Sequence, residues 1–140
     1  MPAAHQAFQL HLRSDLSELQ RIEEWIRRAA EQLCFCPNMV DVVHLCLIEA
    51  VTNVIVHGGD DAAGRGILLS IQAQDDLVTV RVSDGGRPFD PASYVPQPKP
   101  KSLLGGQTGG HGIRLMRQLA SSLSYERNAG RNCLTLTFAR

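Results

Sequence analysis

The segment from Asn38 to His57 constrains the fold of this 140-residue chain more than any other part of the sequence. Apolar residues recur along it at intervals of three and four, and they also fill most of the positions between. A helix that is apolar on most of its sides is normally buried inside a protein. The segment therefore predicts a central buried helix, which the two glycines after His57 bring to an end.

The composition indicates one globular domain over residues 1–140. Hydrophobic residues make up 44% and charged residues 20% of the chain, and the formal net charge is zero. These values disfavour a disordered chain and a nucleic-acid binder that acts through charge. The N-terminus lacks the pattern of a signal peptide, and no uninterrupted apolar run approaches the roughly 18 residues of a membrane span. We therefore expect a cytoplasmic protein without nucleic-acid or membrane contacts. Its four cysteines are expected to be thiols because the cytoplasm is reducing. The spacing of Cys34 and Cys36 does not match a zinc site.

Alternating apolar and polar residues predict strands elsewhere, and spacings of three and four predict helices. In chain order we expect a strand over 6–12 at a sheet edge, a helix from a capping box of Asp15 and Glu18 to 34–37, strands over 67–73 and 77–83, a helix over 112–120, and strands over 122–127 and 133–139. This order predicts an α+β fold, a two-layer α/β sandwich whose mixed, mostly antiparallel sheet has its helices on one face.

Three polar side chains on the central helix form the first candidate site. Glu49, Asn53 and His57 are four residues apart and share one stripe of the helix. A carboxylate among apolar residues is costly unless it meets a cation, a donor or water, so the stripe either faces solvent or has a function. Glu49 can act as a general base, and Asn53 can offer an oxygen to Mg²⁺. His57 can contact phosphates or cap the end of the helix.

Two glycine-containing motifs form the other candidates. Asp84 ends a predicted strand, where its carboxylate can accept a hydrogen bond from an exocyclic amine such as that of adenine, and Gly86 would let the backbone approach a flat ring. A plain turn is the alternative. The segment T-G-G-H-G-I over 108–113 opens the next helix and can expose N–H groups to phosphates, or it is a flexible loop. Neither motif is specific by itself.

Together the three segments resemble the N, G1 and G2 boxes of the GHKL ATPase superfamily, and most nearly its anti-sigma-factor serine-protein kinase branch. The matching residues are E-A-V-T-N-x-x-x-H-G, D-G-G-R-P-F-D-P and G-G-H-G-I-R-L-M. The resemblance extends over roughly residues 10–140 and implies the Bergerat fold with bound ATP and Mg²⁺. It makes Glu49 the general base, Asn53 the Mg²⁺ ligand and Asp84 the acceptor of the adenine amine. The other nucleotide-binding residues that it implies are His57, Gly86, Pro88, Thr108, Gly109, Gly110, His111 and Gly112.

The resemblance also implies a lid over about 90–109, in which Lys99 and Lys101 either reach a phosphate or are solvated. Pro88 replaces the second glycine of the usual motif, a variant that is typical of the anti-sigma branch. Many relatives have a small hydroxyl residue in the last hairpin, and the resemblance aligns Leu134 with that position. That difference predicts the loss of one polar contact near the base.

The function implied by the resemblance is that of an ATP-dependent serine/threonine protein kinase that acts as an anti-sigma factor in a partner-switching system. Its partners would be a STAS-type antagonist, which it phosphorylates, a sigma factor, and a second copy in a homodimer. Two alternatives are an ATP-gated, non-catalytic binding module and a detached ATP-binding domain of a histidine kinase. A hydrolysing ATPase of the repair or chaperone type is a further alternative, although it would need transducer domains.

Overall fold

The computed structural model describes residues 7–58, 66–88, 90 and 110–139. Its strands and helices follow the predicted order, with bounds within about two residues of those expected except at the start of the first helix. The strands are β1 (Ala7–Leu12), β2 (Ile67–Gln74), β3 (Leu77–Asp84), β4 (Ser122–Asn128) and β5 (Arg131–Ala139), and the helices are α1 (Gln20–Leu33), α2 (Pro37–His57) and α3 (Gly110–Leu119).

The strands form one sheet in the order β1-β2-β3-β5-β4. Every described pair of neighbouring strands is antiparallel, so the α+β class is confirmed, whereas the expectation of a mixed sheet is wrong. Tight turns join β2 to β3 and β4 to β5, and such turns permit only antiparallel neighbours. The strand β1 lies at one edge, as expected.

One face of the sheet is buried beneath the helices. Along β3 the buried residues are every second one from Val78 to Asp84, and along β5 they run likewise from Asn132 to Phe138. The other face carries exposed and half-buried side chains such as Arg81. Since successive side chains of a strand point to opposite faces, this pattern confirms that the helices cover one face only.

The start of α1 differs in detail from the predicted capping box. Asp15 caps as expected, because its carboxylate accepts a hydrogen bond from the Ser17 N–H at 2.9 Å. The Glu18 carboxylate, however, accepts from the N–H of Arg13 at 3.0 Å rather than from that of Asp15. The first turn is accordingly a short 3-10 helix over Leu16–Leu19, and α1 follows it.

The connection between α1 and α2 contains two of the cysteines. Cys34 ends α1 in the left-handed conformation with φ 58°, and Pro37 is the first residue of α2. Cys34 and Cys36 are exposed free thiols. Among the described residues, no cluster of histidine, cysteine and acidic side chains could hold a metal ion.

The helix α2 packs against α1, α3 and β3, as expected for a central helix. Its 21 residues, with a mean hydropathy of 1.9 over an 18-residue window, are also sufficient, by length and composition alone, for a membrane span. The expectation of a protein without membrane contacts stays a prediction. Isolated polar residues such as Glu49 interrupt the apolar run, but the average hydropathy of the helix stays high. Core helices of folded proteins can have the same length and hydropathy, so these two properties do not show that α2 spans a membrane.

Candidate active site

Three elements converge on one cavity at the end of the sheet. The second half of α2 covers the last residues of β3, and the β4–β5 hairpin closes the side. The strand register places Asp84 opposite Asn132, so both lie on the helix-facing side of the sheet. The cavity is lined by Ala50, Asn53, Val54, Gly58, Val82, Asp84, Arg87, Tyr125, Asn132 and Leu134. Two of the residues predicted from separate motifs, Asn53 and Asp84, therefore share one site.

Asn53 presents an amide to the cavity. Its side chain is 7% exposed, and its Nδ2 is buried without a hydrogen-bond partner among the described residues. A buried polar group without a partner costs about 1–3 kcal/mol. A ligand that satisfies this amide would remove the cost, so the residue is suited to binding one.

Asp84 is a buried carboxylate whose two oxygens differ in their hydrogen bonds to the protein. Its Oδ1 accepts hydrogen bonds from the Gly86 N–H at 2.9 Å and from Asn132 Nδ2 at 3.1 Å. No described group donates a hydrogen bond to Oδ2. One oxygen thus fixes the carboxylate within the protein, and the other can accept a hydrogen bond from a ligand.

At Gly86 the missing side chain allows a close contact within the protein, whereas the sequence predicted a close approach to a flat ring. A Cβ at this position would lie 2.9 Å from both the Cα and the carbonyl oxygen of Gly58, at the end of α2. Arg87 also donates its N–H to that carbonyl oxygen at 3.3 Å. The absent side chain therefore allows the loop after β3 to meet the end of α2. The approach of a flat ring to Gly86 stays a prediction.

Glu49 lies beside the first turn of α3. A Cβ on Gly112 would come within 2.5 Å of Glu49 Oε2. The helix begins at Gly110, two residues before the predicted start, so Gly110 and Gly112 both belong to its first turn. The N–H groups of a first helical turn have no partners within the helix and attract anions.

The remaining predicted residues either do not line the cavity or lie outside the described residues. His57 is the last residue of α2 and does not line the cavity, and neither does the exposed Pro88. Thr108, Gly109 and nearly all of the expected lid, including Lys99 and Lys101, lie outside the described residues, as does the side chain of His111.

Comparison with known proteins identifies the family. The family profile described as a histidine kinase-like ATPase domain matches residues 12–138. The chain belongs to this family. The GHKL superfamily that the three motifs indicated is thus confirmed.

Relatives of this ATPase domain include a protein kinase. The serine/threonine-protein kinase BtrW of Bordetella bronchiseptica is 33% identical over 113 residues, which cover 81% of this chain and 80% of BtrW. A structure of the RsbU and RsbW domains of Rv1364c from Mycobacterium tuberculosis aligns with a TM-score of 0.68 and 17% identity, over 96% of this chain and 32% of that polypeptide. The Acinetobacter baumannii histidine kinase AdeS aligns with a TM-score of 0.50 and 12% identity, over 96% of this chain and 68% of AdeS. The two structures support the fold alone.

Asn132 is a polar residue of the cavity that was not predicted from the sequence. Leu134 lines the cavity, as its expected correspondence implies, and Asn132, two residues earlier, lines it too and donates a hydrogen bond to Asp84. The predicted β5 began at Cys133, which left Asn132 in a turn. The signal was present, because Asn132 continues the inward alternation of Leu134, Leu136 and Phe138. The expected loss of a polar contact to the base at Leu134 stays a prediction.

Cys46, one helical turn before Glu49 on α2, has no role in the site. Burial raises the pKa of the Cys46 thiol to about 11, and the negative charge of Glu49 contributes to the shift. A thiol with this pKa is protonated at neutral pH and therefore a poor nucleophile.

Proposed function

We propose that this chain is an ATP-dependent serine/threonine protein kinase that acts as an anti-sigma factor. The observation that carries the proposal is the convergence of the three motifs: Asn53 and Asp84 share one cavity, and Glu49 touches the first turn of α3 at Gly112. The 33% identity to a serine/threonine-protein kinase over most of both chains supports the choice of activity.

The described residues have the chemistry needed to bind ATP. Oδ2 of Asp84 accepts a hydrogen bond from the adenine amine, while apolar side chains such as Val82 and Leu134 contact the base. The amide oxygen of Asn53 is a hard ligand of the kind that Mg²⁺ prefers. Its Nδ2, which is buried without a partner among the described residues, would be free to donate to an acceptor atom of the nucleotide. Bound Mg²⁺ would neutralise phosphate charge during the transfer.

The phosphate-binding part of the site comes from the start of α3. The backbone N–H groups of Gly110 and Gly112 are in its first turn, where helix geometry gives them no partner within the helix, so they can donate to phosphate oxygens. Thr108, Gly109 and His111 complete the same motif in the sequence. His57, Gly86 and Pro88 belong to the proposed site through the other two motifs.

Glu49 is the proposed general base. In the transfer, the hydroxyl oxygen of a serine on the partner bonds to the terminal phosphorus of ATP. The bond from that phosphorus to the bridging oxygen breaks, ADP leaves, and Glu49 takes the hydroxyl proton. A half-buried carboxylate to which no described residue donates a hydrogen bond is available for this task.

The proposed protein substrate is a STAS-type antagonist, and the sequestered partner is a sigma factor. Both follow from the resemblance of the three motifs to the anti-sigma branch. A homodimer and a cytoplasmic location belong to the same proposal. The edge strand β1, with one side of its backbone unpaired within the described residues, is a surface through which two copies can associate.

A phosphotransfer assay tests the proposal. The purified chain is incubated with ATP labelled in the terminal phosphate, Mg²⁺ and STAS-domain proteins from the same organism. We expect label on a partner serine with the wild-type chain, none with Glu49→Gln, and unchanged ATP binding in that variant. The matched control is Glu31→Gln, the same change at an exposed position of α1, which should transfer phosphate normally.

Each alternative function gives a different outcome. Binding of ATP without transfer, together with a change in partner affinity, would identify an ATP-gated binding module. Label on a partner histidine would identify a detached histidine-kinase domain, and release of inorganic phosphate without a labelled partner would identify a hydrolysing ATPase. Absence of ATP binding would contradict all of these functions.

A further inference from the structure

A hydrogen-bond network in the β4–β5 hairpin continues from Asp84 to the surface. Its central residue is Asn132, which is 5% exposed. The Asn132 Oδ1 accepts from Arg127 Nη1 at 2.8 Å and from the hydroxyl of Tyr125. The Asn132 Nδ2 donates to Asp84 Oδ1 at 3.1 Å and to the carbonyl oxygen of Arg87 at 2.7 Å. All of the hydrogen-bonding atoms of this buried amide therefore have partners.

The chemistry of Arg127 gives this network a direction. A guanidinium group can only donate hydrogen bonds, so the atom of Asn132 that faces it has to be the amide oxygen. The amide nitrogen must then face Asp84, where it donates to Oδ1. The network thus runs from Arg127 through Asn132 to Asp84, with a donor at each step.

The same residues hold the loop after β3. Arg127 Nη1 donates to the carbonyl oxygen of Gly86 at 3.1 Å, while Asn132 holds the carbonyl oxygen of Arg87. The Gly86 N–H in turn donates to Asp84 Oδ1. Two donors therefore fix one oxygen of Asp84, and the rotation of its carboxylate is restricted.

We propose that Asn132 and Arg127 are positioning residues that orient Asp84 so that its Oδ2 reads the exocyclic amine of the base. The inference rests on the proposed function, since it assigns to that site two residues outside the three motifs. It predicts that their contribution to binding depends on the amine of the ligand. A residue that merely supports the fold would affect every nucleotide alike.

The experiment compares two nucleotides with the full chain. One is ATP, and the other is purine riboside 5′-triphosphate, which lacks the 6-amino group. Asn132→Ala should weaken ATP binding about tenfold, the usual effect of losing a hydrogen bond to a charged group, and should change the affinity for the purine analogue less than about twofold. Arg127→Ala should act in the same direction with a smaller effect, about threefold, because Tyr125 still donates to Asn132.

Two controls keep the result interpretable. Arg127 is exposed, so its replacement should leave the fold intact even if Asn132→Ala unfolds the chain. Thr135→Ala changes the same strand on the opposite face of the sheet and should affect neither nucleotide. Equal weakening of both nucleotides, or no weakening of either, would overturn the inference. If the wild-type chain binds neither nucleotide, the proposed function fails instead.

Discussion

A methyl group added at Gly86 should destabilise the fold and one added at Gly112 should not, although the contact at Gly112 is the shorter one. At Gly86 the new Cβ would lie 2.9 Å from two backbone atoms of Gly58. At Gly112 it would lie 2.5 Å from the Oε2 atom at the end of the Glu49 side chain. Backbone atoms at the meeting of two elements cannot move aside, whereas a carboxylate can rotate away.

The magnitudes follow from the two environments. Forcing a methyl group into packed surroundings costs about 1–3 kcal/mol, so Gly86→Ala should lower the Tm by roughly 4–12 °C. Gly112 is in a helix, where alanine is more favourable than glycine by up to about 1 kcal/mol. This gain offsets the displacement of Glu49, so the Tm of Gly112→Ala should be unchanged or slightly higher. Its phosphotransfer should fall sharply because Glu49 has moved.

Thermal unfolding monitored by circular dichroism measures both effects, and the two variants serve as controls for each other. The phosphotransfer assay is run on the same preparations. A lower Tm for Gly112→Ala than for Gly86→Ala would refute the reasoning about rigid and flexible contacts. Full phosphotransfer by Gly112→Ala would refute the functional meaning of the contact with Glu49.

Three further predictions concern the core, the thiols and the response to acid. Leu136→Ala should cost about 2–5 kcal/mol in urea unfolding, because this side chain is fully buried, and a cost below about 1 kcal/mol would contradict its place in the core. In titration with a thiol reagent at pH 8, exposed Cys34 and Cys36 should react at once and buried Cys46, with its pKa of about 11, only on unfolding. The N–H of Arg13 lowers the pKa of Glu18 from its ordinary 4.5, so folding favours the ionised form. That contribution is complete above about pH 4.5 and is lost as the pH falls through the lowered value, so Glu18→Gln should flatten the acid limb of the stability curve. Parallel acid limbs for both proteins would show that the interaction contributes nothing.

Much of the fold was predictable because local patterns and tertiary packing agree. The alternation in β3 and β5 marks the face that the helices bury, and the apolar length of α2 marks its central position. The candidate site was predictable to the extent that its residues sit in recognisable motifs. Asn53 and Asp84 do share a cavity, although they are 31 positions apart along the chain.

The features of the site that the sequence did not predict depend on contacts between segments that are distant in sequence. The partner of Gly86 is Gly58, and only the packing of the loop after β3 against the end of α2 reveals it. Asn132 was missed because a glycine-containing turn hides where a strand begins, and its link to Asp84 depends on the register of β3 and β5. Neither a hydropathy pattern nor a short motif encodes such pairings.

A crystal structure with Mg²⁺ and a non-hydrolysable ATP analogue tests the central claim most directly. The account predicts the 6-amino group within hydrogen-bond distance of Asp84 Oδ2, and Mg²⁺ coordinated by the amide oxygen of Asn53. A nucleotide bound elsewhere, with Asn53 and Asp84 in contact only with protein and water, would contradict it.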